Sequence, residues 1–285
     1  MDNKKIYDVI KSHLQNKIPL AIGKIGANEL NFLYTIDNQV SDEIANIYSF
    51  NLMTGAGCYL KCSDENVHKN KQTQYLKKFM CEKYLSALKH VDIFACWNHN
   101  HEYEKQLIKL NNPLYLGVEL KSLEPYYFCS KWSEHLDGKK VLIISPFTES
   151  IKKQYKKKDL IWDNVLPTFT PIYLNFPLSY YLQEEVNRNV YPNSSHELLE
   201  KYNDMIRKID FDIALIGVGV YSLPLAVTCK KLGKIGFHLG GGLQVLFGIK
   251  GNRWKDYTFT NEYWISPSED ETPKYKDICE DGCYW

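Results

Sequence analysis

The sequence predicts an α/β protein: an open, mostly parallel sheet flanked by helices. Two observations carry this. First, Ile213–Ile216 is an apolar run of strand length with no polar alternation, the pattern of a strand buried on both faces. Second, strand, glycine turn and helical pattern follow one another twice in succession, through Gly217 and Gly219 and again through Gly240–Gly242.

The chain in order supports the same class. Residues 3–16 place Ile6, Val9, Ile10 and Leu14 at helical spacing. Pro19 to Ile25 reads as a strand, followed by Gly23-Lys24-Ile25-Gly26-Ala27-Asn28-Glu29-Leu30, a glycine turn opening into a helix that Asn28 is placed to cap. Residues 41–50 read as helix, 54–60 as a loop of small residues, and 64–90 as a long polar helix with Tyr75, Leu76, Phe79, Tyr84, Leu85 and Leu88 on its apolar side. Strands are expected at Val91–Trp97, Leu114–Val118, Val141–Ile144 and Ile172–Leu174, with helices at 102–110 and 196–208. Pro224 falls early enough for a first helical turn, and Gly233 closes that helix before a strand at Ile235–Leu239. Residues 1–285 read as a single α/β domain, with 255–285 as an ordered tail lying over it. The tail's Cys279–Trp285 end is too aromatic for a loose terminus.

Composition excludes several classes. A formal net charge of +1 argues against a dedicated nucleic-acid binder. No stretch approaches the roughly 20 apolar residues of a membrane span, and the first residues lack an apolar signal core, so a soluble, cytoplasmic protein is expected. The eight cysteines then read as mostly reduced thiols; Cys58/Cys62 and Cys279/Cys283 are spaced by four and lack the Cys-X-X-Cys zinc signature. His99 and His101, two apart, would point to opposite sides of an extended chain and make a poor metal pair.

Glycine turns at the carboxyl ends of neighbouring parallel strands would make a crevice faced by backbone N–H groups and helix N-termini, a site for anions and for phosphate above all. The binding candidates are Lys24, Gly26, Asn28, Ser145, Gly217, Gly219, Tyr221, Ser222, His238, Gly240, Gly241, Gln244, Lys250 and Arg253. His238, Lys250 and Arg253 supply cations or donors for a diphosphate. Glu29 stands at the mouth of the first strand or caps the helix that follows, and Glu149 is either a ligand residue or a first-turn acid. The Glu124–Phe128 cluster with Trp132 reads as aromatic packing, and the basic run 152–158 as a solvated helix face.

Three of these stretches together resemble a family. Gly23–Leu30, Val141–Ser150 and His238–Trp254 are similar to proteins of surface-polysaccharide gene clusters that resemble the GT-D class of glycosyltransferases. The likeness runs from about residue 20 onward, and the long third stretch is its most specific part. It implies a Rossmann-like sheet holding a nucleotide-diphosphate sugar, with a glycan hydroxyl as acceptor. The family's first-strand motif, Gly-Asp-X-Glu, sets acids beside a divalent metal (Mn or Mg); here Gly26, Ala27, Asn28 and Glu29 stand in its place. The missing Asp counts against a metal, because one carboxylate is a poor site for a hard cation. Glu29, then Glu149, are the base candidates, with inversion at the anomeric carbon as the expected course. A NAD- or S-adenosylmethionine-dependent enzyme, or a non-catalytic sugar-nucleotide-binding protein, remain as alternatives. The dinucleotide pattern Gly-X-Gly-X-X-Gly is incomplete, and no acid clearly ends the strand at Phe237–His238.

Overall fold

The computed structural model describes residues 2–58, 69–97, 102–180 and 194–285. Cys62, His99, His101 and most of the polar stretch 178–195 lie outside them. Among the described residues the sheet has seven strands in the order β3-β2-β1-β7-β6-β4-β5. These are β1 (Leu20–Gly23), β2 (Ile93–Cys96), β3 (Leu116–Glu119), β4 (Lys140–Ser145), β5 (Thr170–Asn175), β6 (Ile213–Ile216) and β7 (Ile235–His238). Every adjacent pair is parallel. This is an α/β, Rossmann-like architecture, and the expected "mostly parallel" sheet is parallel throughout.

The helices are α1 (Asp2–Asn16), α2 (Ala27–Asp37), α3 (Asp42–Thr54), α4 (Lys69–Phe79), α5 (Ser86–Leu88), α6 (Glu102–Asn111), α7 (Thr148–Tyr155), α8 (Lys158–Ile161), α9 (Ser195–Ile206), α10 (Ser222–Lys231) and α11 (Gly242–Leu246). A π-helical segment, Met80–Leu85, joins α4 to α5, so the described part of the long helix expected over 64–90 runs from Lys69 to Leu88 with a wide turn in it, and residues 64–68 lie outside the described residues.

Apolar side chains divide between two faces. Leu30, Phe32 and Leu33 of α2, Leu76 and Phe79 of α4, Leu198 of α9 and Leu225 of α10 pack on one face of the sheet. Ile6 and Ile10 of α1, Ile151 of α7, Leu243 and Leu246 of α11 and the tail's Trp264 and Trp285 pack on the other. The centre of the sheet carries a row of small residues: Ala21, Gly236 and Ala214 are register partners across β1, β7 and β6. A Cβ on Gly236 would overlap the backbone of Ala226, so α10 lies directly on β7.

The tail is ordered, and a buried carboxylate fixes it. Glu271, 5% exposed, accepts hydrogen bonds from the backbone N–H of Glu149 (2.8 Å) and of Ser150 (3.1 Å) in the first turn of α7. It also accepts from the hydroxyls of Ser150 and of Ser268 (3.0 Å). The tail thus caps α7 from a distance in sequence, satisfying amides that a helix start leaves open. Glu271→Ala is expected to destabilise the protein by about 3 kcal/mol, since charge-assisted bonds vanish and buried donors lose their partner. A urea unfolding midpoint unchanged from the parent would disprove this role.

Candidate functional site

The direction in which each strand hands on the chain opens the site. β1 and β6 lead into α2 and α10 on one face, whereas β7 and β4 lead into α11 and α7 on the other. In the strand order these four are neighbours, β1-β7-β6-β4, so consecutive loops part to opposite sides. A crevice at such a switch point is where open α/β sheets take their ligands. The cleft found there measures about 950 Å³ out to open solvent.

The structure brings most of the sequence candidates to this cleft. Lys24, Gly26, Asn28 and Glu29 reach it from the end of β1, Ser145 from β4, and Gly217 and Gly219 from β6. His238, Gly240, Gly241 and Gln244 line it from β7 and the turn beyond, and Arg253 from the short turn Asn252–Trp254. The loop of small residues contributes Gly55, Ala56 and Gly57. Gly219 is required by position: its φ is +56°, and a Cβ there would overlap the carbonyl of Ala56.

Four candidates fall elsewhere. Glu149 is on α7 with its side chain in solvent, paired with Lys152 at 2.5 Å, and it does not line the cleft. Its strand-end position was right, but the first turn of α7 directs the side chain outward while its amide is held by Glu271. Lys250 is exposed, and its backbone is engaged by Ile265 and Gln244. Tyr221 is fully buried against Phe79 and Phe176, with its hydroxyl donating to Ser195 Oγ at 3.0 Å. Ser222 Oγ accepts the Val218 N–H at 2.8 Å, closing the turn from inside.

The glycine turns also offer fewer donors than their sequence suggests. The N–H groups of Gly217 and Gly240 donate to Ile144 O and Ile216 O, and that of Val218 to Ser222 Oγ. The helix after Gly240–Gly242 is five residues long, so its dipole is small. Side chains, more than turn amides, must therefore carry recognition.

Glu29 is the central acid. It is 5% exposed and lies in the first turn of α2, where its carboxylate bonds its own backbone N–H. Gly26 leaves room for it, since a Cβ at 26 would overlap that carboxylate. Asn28 does not cap the helix; its amide turns to Glu280 instead. Burial raises the Glu29 pKa to about 7, against the opposing pull of its backbone bond and of Lys24. The helix-cap and cleft-mouth readings of Glu29 thus hold together.

The cations around it differ. Lys24 is half-buried, and its ammonium lies 5.7 Å from the centre of the Trp97 ring. Burial lowers its pKa, with Glu124 and Glu29 opposing that change. His238 is 3% exposed, and burial first and Lys24 second lower its pKa to about 3. It is therefore neutral at physiological pH and acts through hydrogen bonds, so of its two expected roles, cation or donor, the charged one is lost. His238 Nδ1 and Gln244 Oε1 are buried without a partner among the described residues. Both atoms are enclosed behind the cleft wall, so a ligand would reach them only if their side chains turned toward it.

A scan of family models, a search of curated proteins and a search of solved structures each find no match.

Sequence reasoning did not single out Trp97, Glu280 and Tyr284, which also line the cleft. The aromatic close of the tail was the one available signal for Tyr284. Among the described residues, no three His, Cys, Asp or Glu side chains converge to hold a metal. Glu29, with Ala27 in place of an acid and Lys24 beside it, does not make a hard-cation site. Among the described residues, no helix is long and apolar enough to cross a membrane.

Proposed function

We propose that the protein is a glycosyltransferase that moves a sugar from a nucleotide-diphosphate donor to a hydroxyl of a glycan. The observation that carries this reading is a single cleft holding a buried carboxyl poised near neutrality, Glu29, together with Lys24 and Arg253. The resemblance to GT-D-like proteins agrees with it. Transfer needs a base within reach of the acceptor hydroxyl and positive charge at the departing diphosphate.

In this reading Glu29 takes the proton from the acceptor as its oxygen attacks the anomeric carbon. The bond from that carbon to the diphosphate oxygen breaks, and the sugar inverts. Lys24 and Arg253 hold the diphosphate oxygens; neutral His238 places a hydroxyl or phosphate group by hydrogen bonding, and Gln244, whose amide N–H groups are engaged by Lys250 O and Tyr284 O, can only accept from a hydroxyl. No step passes through a metal. The reading carries a cytoplasmic location with it, where exposed thiols such as Cys81 and Cys129 stay reduced.

The test is a panel of uridine, guanosine and thymidine diphosphate sugars, scored by thermal shift and by release of nucleoside diphosphate with glycan acceptors present. At least one donor is expected to raise the melting temperature and to be turned over. A shift with NAD or S-adenosylmethionine and none with any donor overturns the assignment. Binding without turnover across all acceptors reduces the protein to a sugar-nucleotide-binding one.

A further inference from the structure

The segment Cys279–Trp285 borders the cleft and sends a carboxylate into it. Glu280 and Tyr284 both line the cavity. Asn28 Nδ2 donates to Glu280 Oε1 at 2.6 Å, and the Arg253 guanidinium pairs with the same carboxylate. Arg253 is further framed by the segment: its backbone N–H donates to Cys283 O at 3.1 Å, and its guanidinium lies 5.1 Å from the Tyr284 ring centre. Gln244 Nε2 donates to Tyr284 O at 2.7 Å.

Two of the cleft's best donors for an anionic oxygen are thus engaged by an acid of the chain itself. A guanidinium beside an amide N–H suits a phosphate oxygen as well as a carboxylate. The neighbouring Gln244 Oε1 and His238 Nδ1, on side chains 2% and 3% exposed, have no partner among the described residues.

We propose that Arg253 and Asn28 form an anion subsite in which Glu280 is the resident occupant, and that a diphosphate enters by displacing Glu280 from it. This rests on reading the cleft as a diphosphate site. The exchange is favourable in sign, because a diphosphate brings more negative charge than one carboxylate and the same acceptor chemistry. The resident pair is partly open to solvent, the Arg253 and Glu280 side chains being 42% and 30% exposed, although Cys283 Sγ also donates to the Glu280 carboxylate at 3.3 Å. The backbone favours release, since Glu280 and Asp281 have φ of +49° and +55°, a region that residues other than glycine seldom occupy. Cys279 and Trp285 are buried and anchor the ends, so only the turn between them needs to rearrange.

Inorganic pyrophosphate, titrated calorimetrically into the full chain, tests this. Glu280→Gln is expected to tighten pyrophosphate binding by about five-fold, the scale on which a half-exposed ion pair competes. Arg253→Gln is expected to weaken it at least about ten-fold. In the unaltered protein, hydrogen exchange at residues 280–284 should quicken when pyrophosphate is saturating. Equal or weaker binding by Glu280→Gln overturns the proposal, and so does exchange that stays constant or slows. No binding by either form also overturns it, while turnover of a donor sugar in the assay above would leave the transferase reading standing.

Discussion

Glu29→Gln is expected to lower the rate of sugar transfer by about 10²- to 10⁴-fold while the protein stays folded, because the substitution removes the base and keeps the shape. Glu29 is the one acid of the two sequence candidates that reaches the cleft, since Glu149 faces solvent beside Lys152. Loss should appear in turnover more than in donor binding, because the acceptor proton moves only in the reaction step. Glu149→Gln serves as the control, with activity expected within about two-fold, as for an exposed ion pair of small energetic weight. Full activity in Glu29→Gln removes Glu29 from the mechanism.

The same residue sets a pH dependence with a definite sign. Its pKa is raised by burial from 4.5 to about 7, so the folded protein favours the protonated acid. The stability this gives is fully present below the unfolded value of 4.5. It is lost as pH rises towards about 7 and changes little above that. Catalysis runs the other way, since the base must be ionised; kcat/KM should climb with unit slope to about pH 7 and then level. His238, whose pKa is lowered to about 3, titrates far below this rise. The difference in melting temperature between the parent and Glu29→Gln, followed across the same pH range, isolates the Glu29 contribution. A flat difference there would refute the buried-acid account.

Gly236→Ala is expected to be among the most damaging glycine substitutions in the described residues, costing about 3 kcal/mol or more. The position is in the middle of the sheet, between Ala21 of β1 and Ala214 of β6, and the added Cβ would overlap the backbone of Ala226 in α10. Backbone cannot swing aside as a flexible side chain does, so the helix must lift off the sheet. α10 follows β6 and precedes β7, so lifting it would also disturb the two glycine turns at the cleft. Against a total stability of about 5–15 kcal/mol, such a loss should lower the denaturant midpoint sharply and the yield of soluble protein with it. Gly233→Ala is the informative comparison: a Cβ there meets nothing, but φ is +79°, so only backbone strain is added. A Gly236→Ala protein as stable as the parent would mean that α10 is not seated as the structure has it.

Strand positions were legible because a strand covered on both faces must be apolar along its whole length, as Ile213–Ile216 and Val141–Ile144 are. Lys24, Glu29 and His238 were legible because the carboxyl ends of parallel strands in this fold class converge on one side of the sheet, whereas Arg253 lies beyond α11 and was named for its charge. Tyr221 and Ser222 misled because a turn residue beside a site and one that props the turn from within have the same local sequence; Ser222 Oγ in fact accepts the Val218 N–H. Lys250 misled in another way, since nearness to Arg253 along the chain says nothing of which side each takes in an irregular segment.

By itself the sequence determined the elements, the class of sheet and the strand ends where a ligand would sit, since hydrophobic period and glycine placement are local properties of the chain. Only the tertiary structure decided which charges meet. Glu280 reaches Asn28 across most of the chain's length, Glu271 caps α7 from the tail, and burial rather than residue type makes Glu29 a near-neutral acid and His238 an uncharged base. Those outcomes depend on distance and on exclusion of water, which arise when remote segments pack and have no signature in the order of residues.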